Sequence, residues 1–311
     1  MKLVDGVLHS YSGLIPEYSK TISQFRTLAT SLGEEFSLLD YRFFVIQMLY
    51  LVEYADYNSQ SKLGTGLVNG QSAKALIAET NVNRIIVSST NLYVGRIVAI
   101  GTDWWNTSIA INRTITKVEN YTDGSVTGKV IYFDGDPVNI AVNNTIWGIG
   151  QTSGQCDELG MKSGCLINNG IHSMIYRGIE NIFGNMWQFV DGMNIKDRVM
   201  YLCKDHTKYK SDFFESPYKA IGYTNGDTNG YTKTLGFDPD EPLARFPTEV
   251  GAGASSGTSD YYYQDAGNRI ALVGGNFGNG LSAGLWSWNL CNTSALANFL
   301  VGCRVLIDNQ E

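Results

Sequence analysis

Between Arg269 and Arg304 the chain carries no charged side chain. The stretch holds six glycines, two tryptophans (Trp286, Trp288) and many Asn and Ser. A solvated loop of this length normally carries Lys or Glu. A buried strand pair is poor in Asn. What remains is a surface made for contact: aromatic anchors, small adaptable polar groups and little charge, a composition shared with antibody binding loops.

The 311 residues leave room for one large or two medium domains with a sizeable core. Apolar content of 43% and charge of 17% exclude a disordered chain. A net charge of -7, with no cluster of Lys and Arg, argues against a nucleic-acid partner. The start, Met1 to Gly6, lacks an apolar signal-peptide core. The longest apolar run, Phe43 to Val52, is broken by Gln47 and is too short to span a bilayer. The expectation is a chain made in the cytoplasm, with no membrane insertion. Five cysteines without a C-x-x-C read as free, buried or half-buried thiols rather than zinc ligands. The Asn-x-Ser/Thr sequons at Asn106, Asn112, Asn120, Asn143 and Asn292 then read as chance.

Along the chain, Tyr18, Ile22, Phe25 and Leu28 recur at helical spacing and predict a helix over 16–32, closed by Gly33. Ser37 with Asp40 looks like a capping box. It opens a second helix, roughly 38–57, that is apolar on most faces and so expected at the centre of the core. Glu53 near its end is expected to hydrogen-bond a neighbouring loop. Residues 58–80 are polar and Gly-rich, a loop. From 83 to 148 the texture changes. Val/Ile/Thr-rich runs at 84–88, 96–100, 113–119, 128–133 and 138–142 alternate with turn signals, and Asp123-Gly124 and Asp134-Gly135 are hairpin-type dipeptides. This is a small all-β module inserted into a main domain. The rest is loop-rich, with strands at 261–264, 270–274 and 301–307. The absence of βαβ alternation excludes a doubly wound fold.

The segment from Arg177 to Gly192 contains Gly184-Asn185-Met186-Trp187-Gln188-Phe189-Val190-Asp191. It resembles the Gly-Asn-x-Trp-Glu-Trp-x-x-Asp core of the formylglycine-generating-enzyme branch of the C-type lectin fold. Gly274-Gly275-Asn276-Phe277 resembles that branch's Gly-Gly-Ser/Asn-Trp strand, and Gly302-Cys303-Arg304-Val305-Leu306 its closing Gly-Phe-Arg-Leu strand. Gln188 and Phe189 replace the motif's Glu-Trp, and Phe277 its Trp. The resemblance implies an α+β, C-type-lectin-like fold: residues 1–82 form its helical first part, 83–148 the inserted β module and 149–311 the remainder. Trp187 and Phe189 are then core residues.

Within that branch, the blocks 251–264 and Ala283-Gly284-Leu285-Trp286 look like phage and prophage tail receptor-binding proteins. These include the variable proteins of diversity-generating retroelements, of the major tropism determinant type. That likeness implies a non-enzymatic protein of the virion tail that displays 276–300 to a host cell-surface glycan or protein receptor. It also implies contact with other virion tail proteins and a homotrimer. The contacting residues would be Asn276, Phe277, Asn279, Leu281, Ser282, Ser287, Asn289, Asn292, Asn298 and Phe299, with Trp286 and Trp288 anchoring or flanking the face. A structural tail component packed on another virion protein is the alternative.

Other chemistries find less support. A formylglycine-type oxidase needs a dedicated cysteine pair, and only Cys291 and Cys303 lie in the right segment. The histidines His9, His172 and His206 are far apart, and Cys203 with His206 offers too few ligands for a metal. No cofactor is expected. Asp238, Asp240 and Glu241 read as a solvated turn, the one place where a structural calcium ion would find oxygen ligands. Of Trp104 and Trp105, strand alternation predicts that one is exposed, for an oligomer contact or for sugar stacking.

Overall fold

The computed structural model describes residues 1–221, 228–253 and 260–308. The chain divides into two units, Met1–Val68 with Thr152–Glu311, and Asn69–Gln151. The smaller unit starts ahead of the β-rich texture because two short segments that read as loop are strands. Ser72–Lys74 pairs with Thr145–Gly148, and Glu79–Val82 pairs with Val138–Ile140.

In the smaller unit six antiparallel strands form one sheet. Their order is Ser72–Lys74, Thr145–Gly148, Ile97–Gly101, Ala110–Asp123, Val126–Phe133 and Arg84–Val87. Ile85, Val98, Ile100, Ile131 and Ile146 fill its core. Asp123 lies opposite Val126, so Gly124-Ser125 closes a two-residue hairpin, with Gly124 at φ +56°. Asp134-Gly135 does not turn a hairpin: the strand after it, Val138–Ile140, pairs with Glu79–Val82 rather than with the strand before it. Trp104 and Trp105 lie off any strand, so alternation does not apply, and both are exposed. Their rings stack at 5.8 Å, and Trp105 meets the buried Trp147 edge-on at 5.4 Å.

The larger unit holds three α-helices among its described residues, α1 (Ile22–Thr30), α2 (Phe43–Tyr54) and α3 (Ser59–Leu63). A capping box starts α1, but it is Thr21 with Gln24, inside the span 16–32. Ser37–Asp40 is not a cap. Phe36–Leu38 is a strand, and the Asp40 carboxylate is taken by the Arg42 guanidinium (2.6 and 2.9 Å) and the Tyr209 hydroxyl (2.8 Å). Helix α2 buries one face only, through Phe43, Phe44, Gln47 and Tyr50, while Val45, Leu49 and Val52 point to solvent. The helix joins the main core through that face, but Val45, Leu49 and Val52 are not covered as expected. Glu53 accepts from the Tyr176 hydroxyl and Arg177 Nε, both at 3.0 Å, on a neighbouring turn.

Strand Trp187–Lys196 lies in a sheet whose strands run Lys219–Ile221, Val199–Leu202, Trp187–Lys196, Asn268–Gly274, Gly284–Leu290, Tyr261–Gln264, Gly230–Asp238 and Glu241–Val250, with Val301–Gly302 also pairing Trp187–Lys196. The central strands are buried on both faces. Phe189, Ile270 and Leu272 face α1 through Ile22 and Phe25. Val190, Ala271 and Val273 face α2 through Phe43 and Phe44. Double burial takes in all of 187–195, the polar Gln188, Asp191 and Asn194 included.

The α+β, C-type-lectin-like expectation is overturned. The chain is mainly β, about 42% strand against 12% helix. The sheet curls toward closure: Lys219 on its edge strand is bonded to Asp240 at the tip of the last hairpin. The misreading came from Gly, Pro and Tyr segments taken as loop. Gly230–Asp238 and Glu241–Val250 form a long hairpin despite Gly236, Pro242 and Pro247, because its register shifts at three places and the ladder tolerates them there. No helix among the described residues is long and apolar enough to cross a membrane.

Candidate functional site

The loop from Gly275 to Ala283 is an irregular segment of the uncharged stretch held by bonds to three other parts of the chain. It starts on two left-handed glycines, Gly274 (φ +91°) and Gly275 (φ +75°). A Cβ on Gly275 would lie 2.6 Å from that of Ala283. Asn276 then folds the chain back, its Oδ1 accepting from Gly278 N (2.9 Å), while Asn279 Oδ1 accepts from Asn276 N (2.8 Å). Phe277 plugs the interior, its amide donating to Asn185 O at 3.0 Å. From α3, Gln60 Nε2 donates to Gly280 O (2.9 Å) and Ala283 O (2.7 Å). Gly280 N reaches Val68 O at 2.9 Å. These bonds fix the loop before any ligand arrives.

This geometry sorts the expected contact residues. Asn276, Phe277, Trp286, Ser287 and Trp288 are buried and are corrected from the surface to the interior. Trp288 packs among Phe43 (5.9 Å) and Phe44 (5.4 Å), and Trp286 among Tyr50 (5.4 Å) and Tyr57 (5.3 Å). Ser287 Oγ donates to Tyr261 O at 3.3 Å. The missing charge in 270–303 thus reflects a doubly covered strand at 284–290, where Ser287 bonds backbone while the Trp286 and Trp288 indole N–H groups are buried with no partner among the described residues. Asn279, Leu281 and Ser282 stay at the surface together, with Leu281 at 53% exposure. Asn289, half-buried, stands beside Tyr263 in register and accepts from Asn292 Nδ2 at 2.9 Å. Asn298 and Phe299 belong to a separate turn, where Asn298 O accepts from Ser19 N at 2.9 Å.

Beside Ser282 and Asn279 lies a group that the sequence reading missed. Tyr261 and Tyr263 lie at 4.4 Å, Tyr231 and Tyr261 at 5.0 Å. All three are half-buried, while Tyr262 between them points into the core. Tyr231 Oη and Ser282 Oγ lie 3.3 Å apart. Burial and the neighbouring Tyr261 raise the Tyr263 pKa against the hydrogen bonds of Ser282 and Asn279, so the Tyr263 hydroxyl stays protonated at neutral pH. The period-2 alternation of Tyr261-Tyr262-Tyr263 was the available signal. The block 251–264 in which it lies includes 254–259, outside the described residues.

Elsewhere, all five thiols are free. Cys303 and Cys156 are pushed up to about 12 by burial, and Cys291 is raised for the same reason. Asp240 and Glu241 are ion-paired to Lys219 and Lys204. Among the described residues no group of three or more His, Cys, Asp and Glu is arranged to hold a metal ion. Comparison with family models finds no match, and comparison with curated proteins finds none.

Proposed function

We propose that this is a non-enzymatic ligand-binding protein whose contact face is formed by Tyr231, Tyr261, Tyr263, Asn279, Leu281, Ser282 and Asn289. The observation that carries the reading is the union of a group of three tyrosines in ring contact with a loop already held by α3, Val68 and Asn185. Tyrosines offer large contact area at little entropic cost, and Asn and Ser adapt their hydrogen bonds. A prefixed loop reduces what binding must order. The likeness of 251–264 and 283–286 to phage tail receptor-binding proteins gives the setting: the face engages a receptor on a host cell surface, and repeated copies in a trimer would multiply weak contacts.

The test is binding of the purified chain to a glycan array and to a panel of bacterial envelopes, with Tyr261→Ala and Tyr263→Ala alongside. The expected result is a receptor hit that weakens by about tenfold or more in each variant, the usual loss for an aromatic anchor. Undiminished binding by both variants would refute the assignment of this face.

A further inference from the structure

A hollow of about 820 Å³ opens in the larger unit, between the hairpin Lys2–Val4/Val7–His9, the turn before Trp187 and the closing segment from Gly302. Its volume lies in the range of small-molecule sites. Arg304 lines it, half-buried. The guanidinium donates from Nε to Gln188 Oε1 (2.9 Å) and from Nη2 to Glu180 O (2.8 Å) and Asn181 O (3.2 Å). All three acceptors are uncharged oxygens, and Nη1 has no protein partner among the described residues. Where a carboxylate would neutralise Arg304, the chain places the amide of Gln188. The nearest acid, Glu180, is held by the amides of Gly154 (2.7 Å) and Cys156 (3.2 Å). Its charge favours the protonated guanidinium, but burial outweighs it, and Arg304 sits below the ordinary arginine value. His9 and Tyr11, also in the lining, stack at 4.6 Å and 17°, with Tyr11 exposed. The Asp157 carboxylate, in the lining too, accepts from the Ser12 hydroxyl at 2.6 Å.

We propose that this hollow is a second binding site, separate from the tyrosine face, for a small polar molecule bearing a carboxylate. The acid group would pair with Arg304 Nη1 through a charge-assisted hydrogen bond, the other two nitrogens being held by Gln188, Glu180 and Asn181. Hydroxyl or amino groups of the same molecule would face Glu180 and Asp157, which accept hydrogen bonds. The His9–Tyr11 pair would cover its apolar face. Two sources carry this chemistry, acidic sugars and amino acids.

The experiment is calorimetric titration at low salt with galacturonate, N-acetylneuraminate and L-alanine, each against its methyl ester. At least one acid should bind, and its ester should bind about tenfold more weakly, because it loses the charge-assisted bond. The class of the acid that binds identifies the source. Tyr11→Ala, exposed and safe for the fold, should weaken the acid severalfold, and Arg304→Lys by about tenfold. Leu281→Arg, on the tyrosine face, should leave it unchanged. The proposal is overturned if no acid binds, if acid and ester bind alike, or if Leu281→Arg abolishes the binding.

Discussion

Phe277→Ala separates a contact surface from a structural plug. Phe277 is fully buried, beneath a loop whose bonds to Val68, Asn185 and α3 depend on its seating. Truncating a buried phenylalanine costs about 3–5 kcal/mol, the lost transfer energy plus the cavity left behind. In a unit of roughly 230 residues, 1 kcal/mol moves the melting temperature by about 2–4 °C, so the expected drop is roughly 6–20 °C. The assay is near-UV circular dichroism melting at fixed concentration, with Leu281→Ala as the paired control. Leu281 is mostly exposed, and its truncation should cost no more than about 0.5 kcal/mol, a shift of about 2 °C or less. If Phe277→Ala melts within about 2 °C of the parent, the interior placement of the Gly-Gly-Asn-Phe turn is wrong.

Two further outcomes follow from single groups. Arg26 holds the buried Asp191 with two bonds of 2.7 Å; Arg26→Met strands that carboxylate and should cost about 3–5 kcal/mol in urea unfolding, whereas a loss under about 1 kcal/mol would mean the charge is otherwise compensated. Burial lifts Cys156 and Cys303 to about 12, so iodoacetamide at pH 8 should leave both unmodified in native protein and label both after denaturation, as read by peptide mass spectrometry. Because the folded values lie above the unfolded thiol value of about 8.5, their contribution to stability is intact below that pH and is lost as pH rises toward 12.

The sequence showed elements whose signal is local. The helical spacing of Ile22, Phe25 and Leu28 gave α1, and the β-branched runs with Asp123-Gly124 gave the long hairpin at 110–133. It misled where a local signal lost to tertiary structure. Ser37 and Asp40 have capping-box spacing, yet Arg42 and Tyr209 claim the carboxylate. Gly236 and Pro247 suggest loop, yet the hairpin absorbs them as irregularities. For the site, composition gave the right segment and the wrong half of it. Asn276 and Ser287 looked like surface because their side chains are polar, but each is spent on a backbone bond. Trp286 and Trp288 could anchor a face or a core, and only the position of α2 over the sheet decides for the core. Alternation in Tyr261-Tyr262-Tyr263 was legible, but Tyr231 and Ser282 join that pair only through the fold, far apart in sequence.

The most direct test of the binding face is a paired charge insertion. Leu281→Arg and, as control, Met161→Arg replace exposed side chains away from the core. The account predicts that receptor-bearing envelopes retain the Met161 variant at parental affinity and lose Leu281→Arg by about tenfold or more, with both melting like the parent. Equal retention of the two variants would contradict it.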